Sequence, residues 1–182
     1  MKKFNLMIVF AAILFTAGSC KDDDEQIPVQ DSGFVVNAAD GGMFEVKAGE
    51  LAVAKGSTKA MGSMMMGSDS MSVKSFGQMM ITDHTMANNE LMALASKKNI
   101  NVASALTLPK QQKLDSLMAL SGQAFDMTYT KMMVASHVET VNLFQNEANS
   151  GGENELKTWA SGKLPTLKHH LEMAQMMQAS IK

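Results

Sequence analysis

Apolar residues recur at helical spacing through most of this chain. Val73, Phe76, Met80, His84, Ala87, Leu91 and Leu94 form one stripe, which predicts a helix over about 73–98 with a histidine set into its apolar face and Asn99 as its stop. An earlier helix runs from about Gly33 to Lys55, capped by Asp31 or Ser32 and ended by Gly56. On it Gly42, Glu45, Gly49 and Ala52 share a narrow face that lets another helix approach closely. Residues 56–72 between these two, rich in Gly, Ser and Met, read as a loop. Pro109 opens a short helix carrying Leu114 and Leu117, and Ser121-Gly122 breaks it. A third long helix follows over about Gln123–Asn149, closed by Gly151-Gly152, with Asp126, Tyr129, Met133, His137 and Val141 on one face. The last covers about Glu153–Ile181, and Pro165 either kinks it or divides it in two.

Four long helices with 5% aromatic residues and three prolines define an all-α bundle. The connection between the second and third long helices decides the topology. A 25-residue helix is about 37 Å long, and the stretch from Asn99 to Gly122 can cover that distance. The third helix would then start at the same end as the second, which is the single-crossover arrangement of ferritin-like four-helix bundles, here with a short extra helix in the crossover.

The N-terminus follows a different rule. Lys2 and Lys3, an apolar run from Phe4 to Ala17, Gly18-Ser19 and then Cys20 have the layout of a secretory signal ending at a cysteine. The run is shorter than the roughly 20 residues of a spanning helix. Cys20 is the only cysteine, so it has no disulfide partner in the chain, and a lipid-modified N-terminal cysteine accounts for both facts. The domain reading is therefore a signal peptide over 1–19, a lipidated Cys20 with an acidic tether over 20–32, and a bundle over 33–182. Lys21-Asp22-Asp23-Asp24-Glu25 resembles the export signal of surface lipoproteins in Bacteroidota, which implies outer-membrane anchoring. Display at the cell surface and retention on the periplasmic face stand as alternatives. The tether to Ser32 reaches roughly 40 Å at about 3.3–3.6 Å per residue.

Charge and motif content narrow the function by exclusion. A formal net charge of −2 gives no general attraction to nucleic acid. All 16 basic residues are lysine, so bidentate guanidinium clamps on carboxylate or phosphate are absent. There is no phosphate-cradling glycine loop and no Gly-x-Ser-x-Gly elbow. The one thiol is the acylation site, which removes cysteine nucleophile chemistry.

Asp83-His84 with Ala87-Asn88 and Glu90, Phe125-Asp126 with Tyr129, Met133 and His137, and Leu164-Pro165 with His170-Leu171 occur in an order and spacing that resembles the bacterial domain of unknown function 4142 family. The resemblance spans about Phe34 to Met177. It implies an exported or outer-membrane protein with a ferritin-like helical bundle, and no activity. The Met- and Gly-rich loop after Lys55 departs from the family pattern.

Two interior chemistries follow. His84, His137 and His170 sit on three helices, each on or beside an apolar stripe, and with Glu45 and Asp126 they make a candidate metal set for copper or iron. The alternative is a structural network in which each imidazole is satisfied by a neighbour: His84 by Asp126 or Asn88, His137 by Glu45. The paired Glu-x-x-His motifs of di-iron bundles are missing, because Ile81, Val134 and Leu167 stand where the glutamates would be. His169 and Trp159 are assigned no site role. Nineteen methionines are far above ordinary usage. Those on helical stripes read as core filler. Met61, Met64, Met65, Met66 and Met71 in the loop read as a soft-ligand site for Cu(I), an oxidant sink, or a spacer. The functional expectation is a non-enzymatic, lipid-anchored binding or stress-related module, with metal binding as the second reading and a metal-dependent enzyme third.

Overall fold

A computed structural model of the chain describes residues 27–59 and 71–181. Its elements are α1 Val29–Lys55, α2 Val73–Lys97, α3 Leu108–Met118, α4 Gly122–Ser150 and α5 Asn154–Ser180. Local chemistry sets their ends. Ser72 and Ser75 exchange side-chain and backbone bonds, Ser75 N–H to Ser72 Oγ at 3.1 Å and Ser72 N–H to Ser75 Oγ at 2.9 Å, and this reciprocal cap starts α2. Asn99 takes φ 54°, a left-handed turn that asparagine tolerates, and α2 stops before it. Helix α5 is continuous through Pro165, so the proline does not divide it in two.

The start of α1 differs from expectation. The helix begins at Val29 behind Pro28, four residues early, and neither Asp31 nor Ser32 caps it. Asp31 lies in the first turn and is fully buried. Its carboxylate accepts from Gly152 N–H at 3.0 Å and Glu153 N–H at 2.6 Å, so it holds the α4–α5 turn instead.

These contacts fix the direction of every helix. The start of α1 meets the α4–α5 turn through Asp31, and the end of α2 meets the start of α5 through Lys98 and Glu153 at 2.8 Å. At the other end Ser57 N–H, just past α1, donates to Asp126 Oδ1 near the start of α4 at 3.1 Å. Helices α2 and α4 therefore run parallel, and α3 climbs between their ends along α1. Asp40 accepts from Thr107 N–H at 3.0 Å before α3, and Lys55 Nζ donates to the carbonyls of Met118 and Leu120 at its end. This is the expected single-crossover bundle.

Helices α1 and α2 form one closely packed pair and α4 and α5 another, while α2 and α5 barely touch. The narrow face of α1 does what its composition implies: a Cβ at Gly49 would lie 2.8 Å from the Gly77 carbonyl oxygen, so the two backbones meet there. The core falls into two apolar parts. One gathers Phe44, Phe76, Met80, Phe125, Tyr129 and Met177. The other gathers Phe34, Val35, Leu91, Phe144, Leu156 and Leu167. Between them lies a polar layer.

Candidate metal centre

Each long helix sends one residue into that layer: Glu45 from α1, His84 from α2, His137 from α4 and His170 from α5. All are at most 4% exposed. The three imidazole centroids form a near-equilateral triangle with sides of 5.4, 5.4 and 5.5 Å.

One nitrogen of each ring is engaged on its outer edge. His84 Nδ1 is 3.0 Å from Glu45 Oε2. His137 Nδ1 donates to the Met133 carbonyl at 2.9 Å and lies 3.5 Å from Glu45 Oε1. His170 Nε2 donates to Asp83 Oδ2 at 2.9 Å. Glu45 is fixed in turn, since Ser136 Oγ donates to its Oε1 at 2.8 Å. With protons on the outer nitrogens, the lone pairs fall on His84 Nε2, His137 Nε2 and His170 Nδ1. Those three nitrogens are buried and have no hydrogen-bond partner.

Electrostatics keeps the lone pairs free. Burial first, then the neighbouring imidazoles, push His170 down to about 4, against the pull of Asp83. Burial also lowers His84, outweighing Glu45. For Glu45, burial would raise the carboxyl, but His84, His137, the Ser136 hydroxyl and His170 together hold it below the usual range. Tyr129 also ends in a buried hydroxyl without a partner, and burial, reinforced by the Glu45 charge, keeps it a phenol.

One nitrogen from each imidazole lies within 4.8 Å of the other two, and no other His, Cys, Asp or Glu joins this group among the described residues. Nitrogens bound tetrahedrally to one zinc at about 2.0–2.1 Å stand about 3.4 Å apart, so side-chain movements of about 1 Å close the triad on an ion. Leaving three buried ring nitrogens unpaired is costly, about 1–3 kcal/mol for each such group.

The expected site residues divide accordingly. His84, His137 and His170 come together, and Glu45 adjoins them as the partner of two rings. Asp126 does not join them. Eleven residues separate it from His137, about 16 Å along the helix axis, and its carboxylate is bound to Ser57 at the bundle end. His84 pairs with Glu45 rather than with Asp126 or Asn88. Asp83 and Ser136, which sequence reasoning passed over, orient the site; each immediately precedes a triad histidine. His169 is exposed, and Trp159 packs with Phe34 and Phe144. Met71 is half-buried against the core. Cys20, Met61, Met64, Met65 and Met66 lie outside the described residues.

Fold and site together define a single-crossover helical bundle with a convergent histidine triad at its centre. The chain belongs to the family described as a domain of unknown function (DUF4142), which matches residues 19–177. No curated protein and no solved structure matches it.

Proposed function

We propose that this protein is a metal-binding bundle in which His84, His137 and His170 hold one divalent first-row transition ion. The observation that carries the reading is a triad of buried imidazoles with one nitrogen of each ring within 4.8 Å of the others, and with one nitrogen of each ring left without a hydrogen-bond partner. Metal-binding histidines characteristically hold their second nitrogen on a carboxylate or carbonyl, which fixes tautomer and ring orientation. Here Glu45, Asp83 and the Met133 carbonyl supply those partners. An all-imidazole set suits copper, iron, zinc or nickel. Cys20 and the charged run after it support anchoring at the outer membrane through a lipid. Among the described residues no helix is long and apolar enough to cross a membrane. The role is binding or buffering of the ion, with no catalytic residue assigned.

The test is elemental analysis of the protein purified without chelator and then offered Cu(II), Fe(II) or Zn(II), beside a His84→Ala, His137→Ala double variant. One ion per chain and a raised Tm are expected in the wild type; an ion at a thousand times its Kd adds about 4 kcal/mol of stability. The double variant should bind none. Equal metal content in both proteins, or none in the wild type at saturating ion, would overturn the reading.

A further inference from the structure

A cavity of about 180 Å³ lies against the triad. Its inner end is formed by His84, His170 and Glu45, and its walls by Leu91, Phe144, Trp159 and Leu167. It occupies the gap between α2 and α5, which barely touch, and its open side carries the exposed residues Met86 and Thr166.

We propose that an ion on the triad keeps one coordination position open toward this cavity, and that the position takes a small monocarboxylate with a short apolar body. The inference rests on the metal-binding reading. Three protein nitrogens leave at least one position for an external ligand on a four-coordinate ion. Glu45 does not join the three nitrogens within 4.8 Å: its Oε1 accepts from Ser136 at 2.8 Å, and its Oε2 stands 3.0 Å from His84 Nδ1. None of the three ligands is a carboxylate, so a divalent ion held by them keeps positive charge for an anionic oxygen donor, although Glu45 and Asp83 also line the cavity.

The walls then select the rest of the ligand. Their apolar side chains disfavour a multiply charged or heavily hydrated anion, and the volume excludes a large one. The amide of Asn88 is packed over Gly42 in the same wall, where a Cβ on Gly42 would stand 2.0 Å from Asn88 Oδ1. The Asn88 amide and the Thr140 hydroxyl, both in the lining, can donate to the second carboxylate oxygen. Lys163 adds a cation to the lining, held by Glu90 at 2.5 Å.

The test uses Co(II) loaded into the full protein, with visible absorption reporting on coordination. Propionate and benzoate should shift the cobalt bands saturably, and sulfate should not. Ala87→Phe on α2 and Thr166→Trp on α5 each fill the cavity without touching a triad nitrogen. Both should keep one cobalt per chain and wild-type circular dichroism while weakening the propionate response at least tenfold. Cobalt bound one to one with bands indifferent to both carboxylates would overturn the open position. An undiminished response in both filled variants would overturn the cavity as its route. Absence of cobalt binding is a different result, readable before any carboxylate is added, and it removes the metal-binding reading together with this one.

Discussion

Two buried polar regions of this bundle answer the same desolvation in opposite ways. In the central layer, bases are buried beside an acid: burial pushes the imidazoles of His84 and His170 down, and Glu45, against its own burial, is held low by the facing rings and the Ser136 hydroxyl. At the end where α4 turns into α5, an acid is buried beside acids. Glu147 is 1% exposed, and both its carboxylate oxygens lack a hydrogen-bond partner. Burial first, then the charges of Asp31 and Glu153, raise it to about 7, with Lys157 only partly opposing them. The difference lies in what each region can do with an added charge. The centre leaves three ring nitrogens that a cation would satisfy, as proposed above, whereas the end sheds its own charge by holding a proton.

The largest effect should come from the end. Glu147 has a folded pKa above its unfolded value of 4.5, so the native state binds the extra proton between pH 4.5 and about 7. Its contribution to stability is therefore full below pH 4.5, falls as pH rises to about 7, and is constant above. At about 1.36 kcal/mol per pKa unit, the loss reaches at most roughly 3 kcal/mol. His170 acts in the opposite sense between about pH 4 and 6.5, and His84 acts with it below 6.5, because the unfolded chain takes up protons that the buried rings refuse. The difference between wild type and Glu147→Gln isolates the end. In urea unfolding the variant should gain stability on the wild type from pH 5 to about 7 and then level off; a constant difference from pH 5 to 7 would refute the protonated carboxyl.

Next in size is the acid of the central layer. Glu45→Gln keeps the shape of the side chain and removes the charge that faces His84 Nδ1 and His137 Nδ1. Outer partners of metal-bound histidines are worth about 10–100-fold in affinity, so metal binding measured by competition with a chelator should weaken within that range. The apo variant should remain helical. Unchanged affinity would reduce Glu45 to a structural group.

Much of this fold could be read from the stripes, and the misreadings have one geometric cause. Five of the seven stripe positions of α2 are buried, Ala87 and Leu94 are half-buried, and the stop at Asn99 holds, because a run of apolar residues at helical spacing fixes a face and Ser72 supplies the cap. A helical face, however, says nothing about height. Asp126 shares a face with His137 but lies three turns away, at a level where Ser57 needs an acceptor. Asp31 was read as a local cap, but its carboxylate reaches a turn more than a hundred residues distant. Asp83 and Ser136 were missed because they stand off the stripe. From that flank each reaches a different helix: Asp83 on α2 serves His170 on α5, and Ser136 on α4 serves Glu45 on α1. The usable signal was a polar residue directly before a stripe histidine.

Asp83 also yields the smallest and most discriminating effect. Its carboxylate is 30% exposed, in contrast to the fully buried Glu45, so water screens it and can replace it in part. Asp83→Asn still offers an oxygen to His170 Nε2–H, but a neutral one, which weakens the hydrogen bond that keeps the proton off Nδ1. Metal affinity should fall by about tenfold, the lower limit for such partners. Apo stability should barely change, because His170 is already held neutral by burial and by its neighbouring rings. Chelator competition and urea unfolding on the same preparation separate the two quantities. A loss of stability with unchanged affinity would make the Asp83–His170 bond a fold contact between α2 and α5. A loss of affinity alone places Asp83 in the orienting set with Glu45, which a purely structural polar layer would not require.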